Sequence, residues 1–263
     1  MDTQIIVVLV LNFIIALIGT LAYSARFVGV TTGKIAVSFA VFNILALASR
    51  TAVTFQVPIL TKYVENNPSA GDLLNIFNLI IIISGVATIF GAFLLPTCQR
   101  IFSKAVKQFS VDRSIPKLIL HSFTRGGVRY IKDCVAIPAK ENLTKIDLKK
   151  LPWKILIYNV ITVALITVGS LAPIFAGTIE PTLSATCITL SSVINGTATI
   201  LMSIFIDPQL SIMTDDVIEG KCSEEEFRTC IVGMVGSKVI GTFIALPLLV
   251  PASYLIAFVA RAI

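Results

Sequence analysis

Six long apolar runs, at roughly 4–23, 35–57, 73–96, 155–178, 182–206 and 231–258, limit this chain more than any other feature. A helix needs about 20 mainly apolar residues to cross the hydrocarbon core of a bilayer, and each run meets that length. Charged residues make up only 14% of the chain, against roughly 25% in soluble domains. The runs fill most of the sequence. They predict one integral membrane domain over 1–263: an all-α, polytopic membrane protein with about six transmembrane helices. The first run carries Asp2 and no early Lys or Arg. It lacks the basic n-region of a secretory signal and reads as a permanent span.

The net charge of +6 is unevenly placed. More than half of the Lys and Arg residues fall between Thr97 and Lys154. Basic loops stay on the cytoplasmic side, so 97–154 is expected there. The short loop with Arg26 and Lys34 and the segment 207–230 should face the same side, with both termini outside. Next to six spans, this charge points to anionic lipid headgroups rather than to nucleic acid. Within the loop, RIFSKAVKQF sets Ile101, Phe102, Ala105, Val106 and Phe109 on one helical face, with Lys104 and Lys107 away from it. That pattern predicts an amphipathic helix lying in the interface, its phenylalanines toward lipid. Pro116, Gly126-Gly127 and Pro138 should break the rest into short pieces. Trp153 and the neighbouring lysines should anchor the fourth span at headgroup level. Ser223 and Glu226 have capping-box spacing, so the last helix should begin near Glu224. The five cysteines show no metal-ligand spacing, and no internal repeat is visible.

The polar residues inside the spans carry the functional signal. On helical wheels Arg50 shares a face with Asn43 and Thr54. Asn12, Ala16, Gly19, Tyr23 and Arg26 share another, and Ser192, Asn195, Thr199 and Ser203 a third. Lys238 lies within the last run near Gly233, Gly236 and Gly241. Polar groups in spans normally face the bundle interior or a wet cavity, although Ser, Thr and Asn also join helices without any further role. A charge near mid-membrane costs about 2.5–3.5 kcal/mol on insertion scales. The spans contain no Asp or Glu that could offset it; the nearest acids are Glu180 and Asp207 at span ends. Arg26, Lys238 and Arg50 thus form an expected ladder of cations suited to an anionic phosphate group, which the planar arginine fork matches well. Asn12, Asn43, Thr54, Ser192, Asn195 and Thr199 are the expected polar lining.

Catalysis has little support in the sequence. His121 is the lone histidine and sits in the basic loop. There is no Ser–His–Asp set, no glycine-rich phosphate loop and no HExxH. No cofactor, metal or nucleotide is implied.

The segment LNFIIALIGTLAYSARFVGVTTGKIAVSFAVFNILALASRTAVTFQVPIL, Leu11 to Leu60, with its motifs IGTLAYSARFVGV and SRTAVTFQ, resembles the Amj family of bacterial lipid II flippases, the alternate to MurJ. The resemblance implies movement of undecaprenyl-pyrophosphate-linked disaccharide-pentapeptide from the inner to the outer leaflet of the cytoplasmic membrane, for cell-wall synthesis. On that reading Arg50, Arg26 and Lys238 would meet the pyrophosphate. Six spans make a small enclosure for so large a headgroup, which favours a homodimer. The alternatives at this stage are another polyprenyl-phosphate carrier, a membrane enzyme acting on polyprenyl phosphates, and a scaffold that transports nothing.

The orientation is testable directly. Single cysteines replacing Lys62 and Lys132, in a chain stripped of its native cysteines, should react oppositely with an impermeant thiol reagent on intact cells. Position 62 should be labelled and position 132 protected; labelling at 132 would invert the topology.

Overall fold

The computed structural model describes residues 3–67, 70–112, 134–136 and 151–263. Among these there is no strand, and six segments are long and apolar enough to cross a membrane. The chain runs through α1 (Thr3–Thr32), α2 (Ile35–Asn66), α3 (Ala70–Asp112) and α4 (Trp153–Ile179). A broken fifth span, Pro181–Ile218, follows, and then α8 (Glu224–Ala262). The fifth span consists of a short 3-10 turn (Pro181–Leu183), α5 (Ser184–Thr189), α6 (Ser191–Leu201), a π turn (Met202–Ile206) and α7 (Asp207–Ile218).

Local chemistry accounts for most of the punctuation. Gly33, with φ of 67°, ends α1 in the left-handed conformation that glycine adopts without strain, and Gly220 (φ 74°) does the same after α7. At the start of α8 the Glu226 N–H donates to Ser223 Oγ (3.2 Å) and the Ser223 N–H donates to Glu226 Oε2 (3.2 Å), the expected capping box. The fifth span breaks just before Pro208. A proline inside a helix has no N–H to give and its ring crowds the carbonyl four residues back, here Ile204 within the π turn.

One expectation is corrected by this architecture. RIFSKAVKQF is not a separate interfacial helix, because α3 runs through it without a break to Asp112. Pro96 does not stop α3; spanning helices tolerate proline where neighbours satisfy the freed carbonyls. Phe102 packs inward against Ala22, Ala25 and Phe42 rather than toward lipid, and Val106 is fully buried. The Phe109 side chain and residues 113–133 and 137–150, with the breaks expected at Pro116, Gly126-Gly127 and Pro138, lie outside the described residues. The helical structure also extends beyond the fifth apolar run, which ends at 206. It continues the fifth span as α7, which buries Leu210.

Packing divides the described helices into two sets of three spans. In the first, α1 lies against both α2 and α3, which barely touch each other. In the second, α4 lies against both α8 and the fifth span, which also meet only sparsely. Each half therefore opens with its central helix. Three spans per half put the second half in the membrane upside down relative to the first, an arrangement shared with inverted-topology transporters. The halves join mainly where α3 and α1 meet α8, whereas α2 and α4 are scarcely in contact.

The buried apolar side chains form two separate layers. One, at the end where the chain starts and finishes, contains Phe77 edge-on to Phe175, with Ile80, Ile81, Leu249 and Ile256. The other, at the basic end, contains Phe27 stacked near Phe227, with Leu156, Ile231 and Met234. Between the two layers the interior mixes polar and apolar side chains. Outside, Leu47, Phe55, Phe93, Ile157, Leu255 and Phe258 are exposed, as lipid-facing side chains must be.

Close helix approach depends on particular glycines. A Cβ on Gly241 would stand 2.7 Å from the Val160 carbonyl of α4, whereas one on Gly236 would meet nothing within 4 Å. Gly241→Leu should therefore force α4 off α8 and destabilise the protein by about 1–3 kcal/mol, the usual cost of overpacking. Gly236→Leu should leave the thermal midpoint in detergent within error of the parent.

Candidate functional site

The polar layer encloses a cavity of about 230 Å3, lined by α1, α2, α3, α4 and α8, with Met202 of the fifth span at one end. The α1 face is the one expected from the wheel: Asn12, Ala16, Gly19 and Tyr23 all border it. The α2 face consists of Ala46, Ser49, Val53, Gln56 and Leu60, with Arg50 at its edge. Polar side chains from the other helices complete it: Ser84 and Thr88 on α3, Asn159, Thr162 and Ser170 on α4, and Lys238 and Thr242 on α8.

Two cations reach this space. Lys238 Nζ donates to Thr20 Oγ1 (3.0 Å) and to the Ala16 carbonyl (3.4 Å), and stands 6.0 Å from the centre of the Tyr23 ring. No carboxylate pairs with it among the described residues. Gly19 makes this approach possible, since a Cβ there would sit 3.1 Å from Lys238 Nζ. Arg50 is exposed on α2 at the cavity margin and forms no ion pair among the described residues.

The rest of the layer is a hydrogen-bonded lattice. Asn12 Nδ2 donates to the Ile80 carbonyl (2.8 Å) and to Ser84 Oγ (2.6 Å), and Gln56 Nε2 donates to Asn12 Oδ1 (3.4 Å). Asn159 Nδ2 donates to the Met234 carbonyl (2.9 Å) and to Ser237 Oγ (2.7 Å), while the Tyr23 hydroxyl donates to Asn159 Oδ1 (3.4 Å). These bonds tie α1 to α2 and α3 on one side and α4 to α1 and α8 on the other. Thr162 Oγ1 is buried without a protein partner.

The structure separates the expected site residues. Arg50, Lys238 and Asn12 border one cavity. Arg26 does not join them: its Nη2 donates to Asp207 Oδ1 at 2.5 Å, and its guanidinium lies 4.1 Å from the Phe42 ring centre and 5.1 Å from that of Phe39. It sits behind Tyr23, Phe42 and Met202, on the basic side of the cavity. Asn43 and Thr54 do not line the cavity either. They lie on the Arg50 side of α2, away from its lining face, and only the long arginine stem reaches round; Thr54 donates to the Arg50 carbonyl (3.3 Å). Ser192 is exposed. Asn195 donates to the Gly169 carbonyl of α4 (3.5 Å), which joins α6 to α4, and Thr199 donates within α6 to the Asn195 carbonyl (2.8 Å). Gln56, Ser84 and Asn159 were missed. The signal available for them was an amide or hydroxyl standing alone within an apolar run.

Two comparisons with known proteins find matches. The family model described as Amj, Alternate to MurJ, matches residues 11–260. A protein of Bacillus subtilis (strain 168), named lipid II flippase Amj, is 30% identical over 263 residues, covering 98% of this chain and 97% of its own length. No solved structure matches.

The ion pair at the basic end has a measurable signature. Removing one partner of a buried pair costs about 3–5 kcal/mol, mostly because the other charge is stranded; Asp207 is 30% exposed, which places this pair below that range. Asp207→Asn should lower the thermal midpoint, and Arg26→Gln combined with Asp207→Asn should cost less than the two single changes added together. Strict additivity would mean that the pair is not coupled.

Proposed function

The chain belongs to the Amj family, and from that premise we propose that it is a flippase that moves lipid II from the inner to the outer leaflet of the bacterial cytoplasmic membrane. The protein works as a transporter rather than an enzyme, with the basic loop on the cytoplasmic side and both termini outside. The observation that carries the site assignment is the presence of Arg50 and Lys238, without carboxylate partners among the described residues, on one polar cavity between two apolar layers.

Lipid II has three parts with conflicting solvent needs. The isoprenoid tail is content in hydrocarbon. The pyrophosphate and the disaccharide-pentapeptide are not. A cavity lined by hydroxyls, amides and two cations lowers the cost of carrying the phosphates through, because their charge is met by fixed donors instead of lipid. Arg50, exposed at the cavity margin, can hold the pyrophosphate while the tail stays outside in the bilayer. Lys238 faces it from α8, preorganised by Thr20 and the Ala16 carbonyl.

The present volume of about 230 Å3 is below the roughly 300–1,000 Å3 of ordinary small-molecule pockets. It accommodates a pyrophosphate-sized group but not the sugar-peptide headgroup. Apolar layers lie at both ends, and the cavity is partly open at the margin where Arg50 is exposed. Opening toward the cytoplasm requires Tyr23, Phe42 and Met202 to part, and Arg26–Asp207 latches that end. Rocking of the two three-span halves about the α3–α8 seam would open each side in turn.

Complementation of a strain lacking its other lipid II flippases tests this reading. Arg50→Lys keeps the charge but loses the bidentate fork and should support growth partially. Arg50→Ala and Arg50→Gln should fail while accumulating in the membrane at parental levels. Normal growth on Arg50→Ala at normal expression would remove the site assignment. Phosphate release from lipid II by the purified protein would favour an enzyme instead.

A further inference from the structure

A second, larger cavity lies at the basic end, away from the polar layer. It is a groove of about 900 Å3 between α3 and α8, with Thr31 of α1 and Cys134 of the central loop at its margins. No residue lines both this groove and the central cavity, so it is not a vestibule of the transport site. Its two ends differ in chemistry. Toward mid-membrane the walls are apolar: Ile89 and Phe93 on α3, Val232 and Val239 on α8. Toward the basic end they carry four cations, Arg100, Lys104 and Lys107 on successive turns of α3 and Arg228 on α8. Gly236 leaves the floor open, since a Cβ there would meet nothing within 4 Å.

We propose that this groove binds an anionic diacyl phospholipid of the leaflet at the basic end, its phosphate among the four cations and an acyl chain along the apolar walls. Charge complementarity selects the headgroup. Cations within reach of one leaflet's surface attract anionic lipids, by about fivefold in binding for each Lys or Arg. The apolar half selects a lipid over a free phosphate. Phe93 is already exposed to the bilayer at the groove's edge, so chains can enter sideways without crossing a polar barrier. The separation from the central cavity selects a resident membrane lipid over the transported one. The position gives the lipid a role: α3 belongs to the first three-span half and α8 to the second, so a bound lipid bridges the seam about which the halves move. Arg228 is itself fixed to the first half, with its guanidinium 5.1 Å from the Phe27 ring centre, so a phosphate held there would tie together all three helices.

Native mass spectrometry of the purified full chain, with phosphatidylglycerol and phosphatidylcholine as probes, tests this. The parent should retain phosphatidylglycerol in preference by at least about tenfold, less than the four cations would give if fully additive. Arg228→Gln should lower the preference by about fivefold, and Arg100→Gln with Lys104→Gln should bring it close to parity. Gly236→Leu, which keeps every charge but fills the floor, should abolish retention of both lipids. If Gly236→Leu retains phosphatidylglycerol as the parent does, the attraction is diffuse surface charge and the groove is not a site. Retention of lipid II in its place, lost in Gly236→Leu, would overturn the proposed occupant. The readout is binding alone, so a failure here leaves the transport assignment standing, and a failure of Arg50 complementation leaves this one standing.

Discussion

The cost of placing charge inside a bilayer organises this molecule. Lys238 and Arg50 lie on helices whose apolar runs are long enough to span, and among the described residues neither has a carboxylate beside it. At about 2.5–3.5 kcal/mol each on insertion scales, they are tolerable only if the interior around them is polar. The layer of Asn12, Thr20, Gln56, Ser84 and Asn159 supplies that environment. Gly19 gives the ammonium room to approach α1. Apolar layers pack on either side of the polar one.

The arginines at 26 and 50 show how context decides the fate of one residue type. Both lie on polar wheel faces, Arg26 with Asn12 and Tyr23, Arg50 with Asn43 and Thr54. Arg26 is satisfied within the protein, because the break of the fifth span at the π turn brings Asp207 to it. Arg50 has no such neighbour and remains at the margin of the cavity. One arginine is thus paired within the protein, while the other has no carboxylate beside it among the described residues. The same cation–carboxylate pairing recurs at the far end, where Arg261 meets Glu180 and ties α8 to the start of the fifth span.

The six spans were legible because apolar length is a cumulative signal, and the α8 start was legible because Ser223 and Glu226 are adjacent in sequence. The α1 face was readable from its regular spacing. What failed depended on neighbours. A wheel places Asn43 and Thr54 with Arg50 but cannot say that only a long side chain reaches the cavity from that edge. Nor can it say that, of the Ser192–Thr199 stripe, Asn195 would bond the Gly169 carbonyl while Ser192 stays exposed. Amphipathic periodicity marked out 101–109 correctly as a helix with one apolar face. It could not reveal that the face packs on Ala22 and Phe42 as a continuation of α3, because nothing local distinguishes a lipid-facing phenylalanine from a protein-facing one. Asp207 was seen as the nearest acid, but its partner is fixed by a tertiary contact between residues far apart in the chain.

We propose that the headgroup end of lipid II passes through the cavity bordered by Arg50 and Lys238. Site-specific photo-crosslinking tests it most directly. A photoreactive amino acid at Val53, on the cavity wall, and a control at Phe258, on the lipid face, are irradiated in cells that depend on this protein as their flippase. Adducts at position 53 should contain the pyrophosphate-linked sugar-peptide and should vanish with Arg50→Gln, while position 258 should capture chiefly bulk lipid. Lipid II adducts at position 258 with none at position 53, in a protein that still supports growth, would contradict the account.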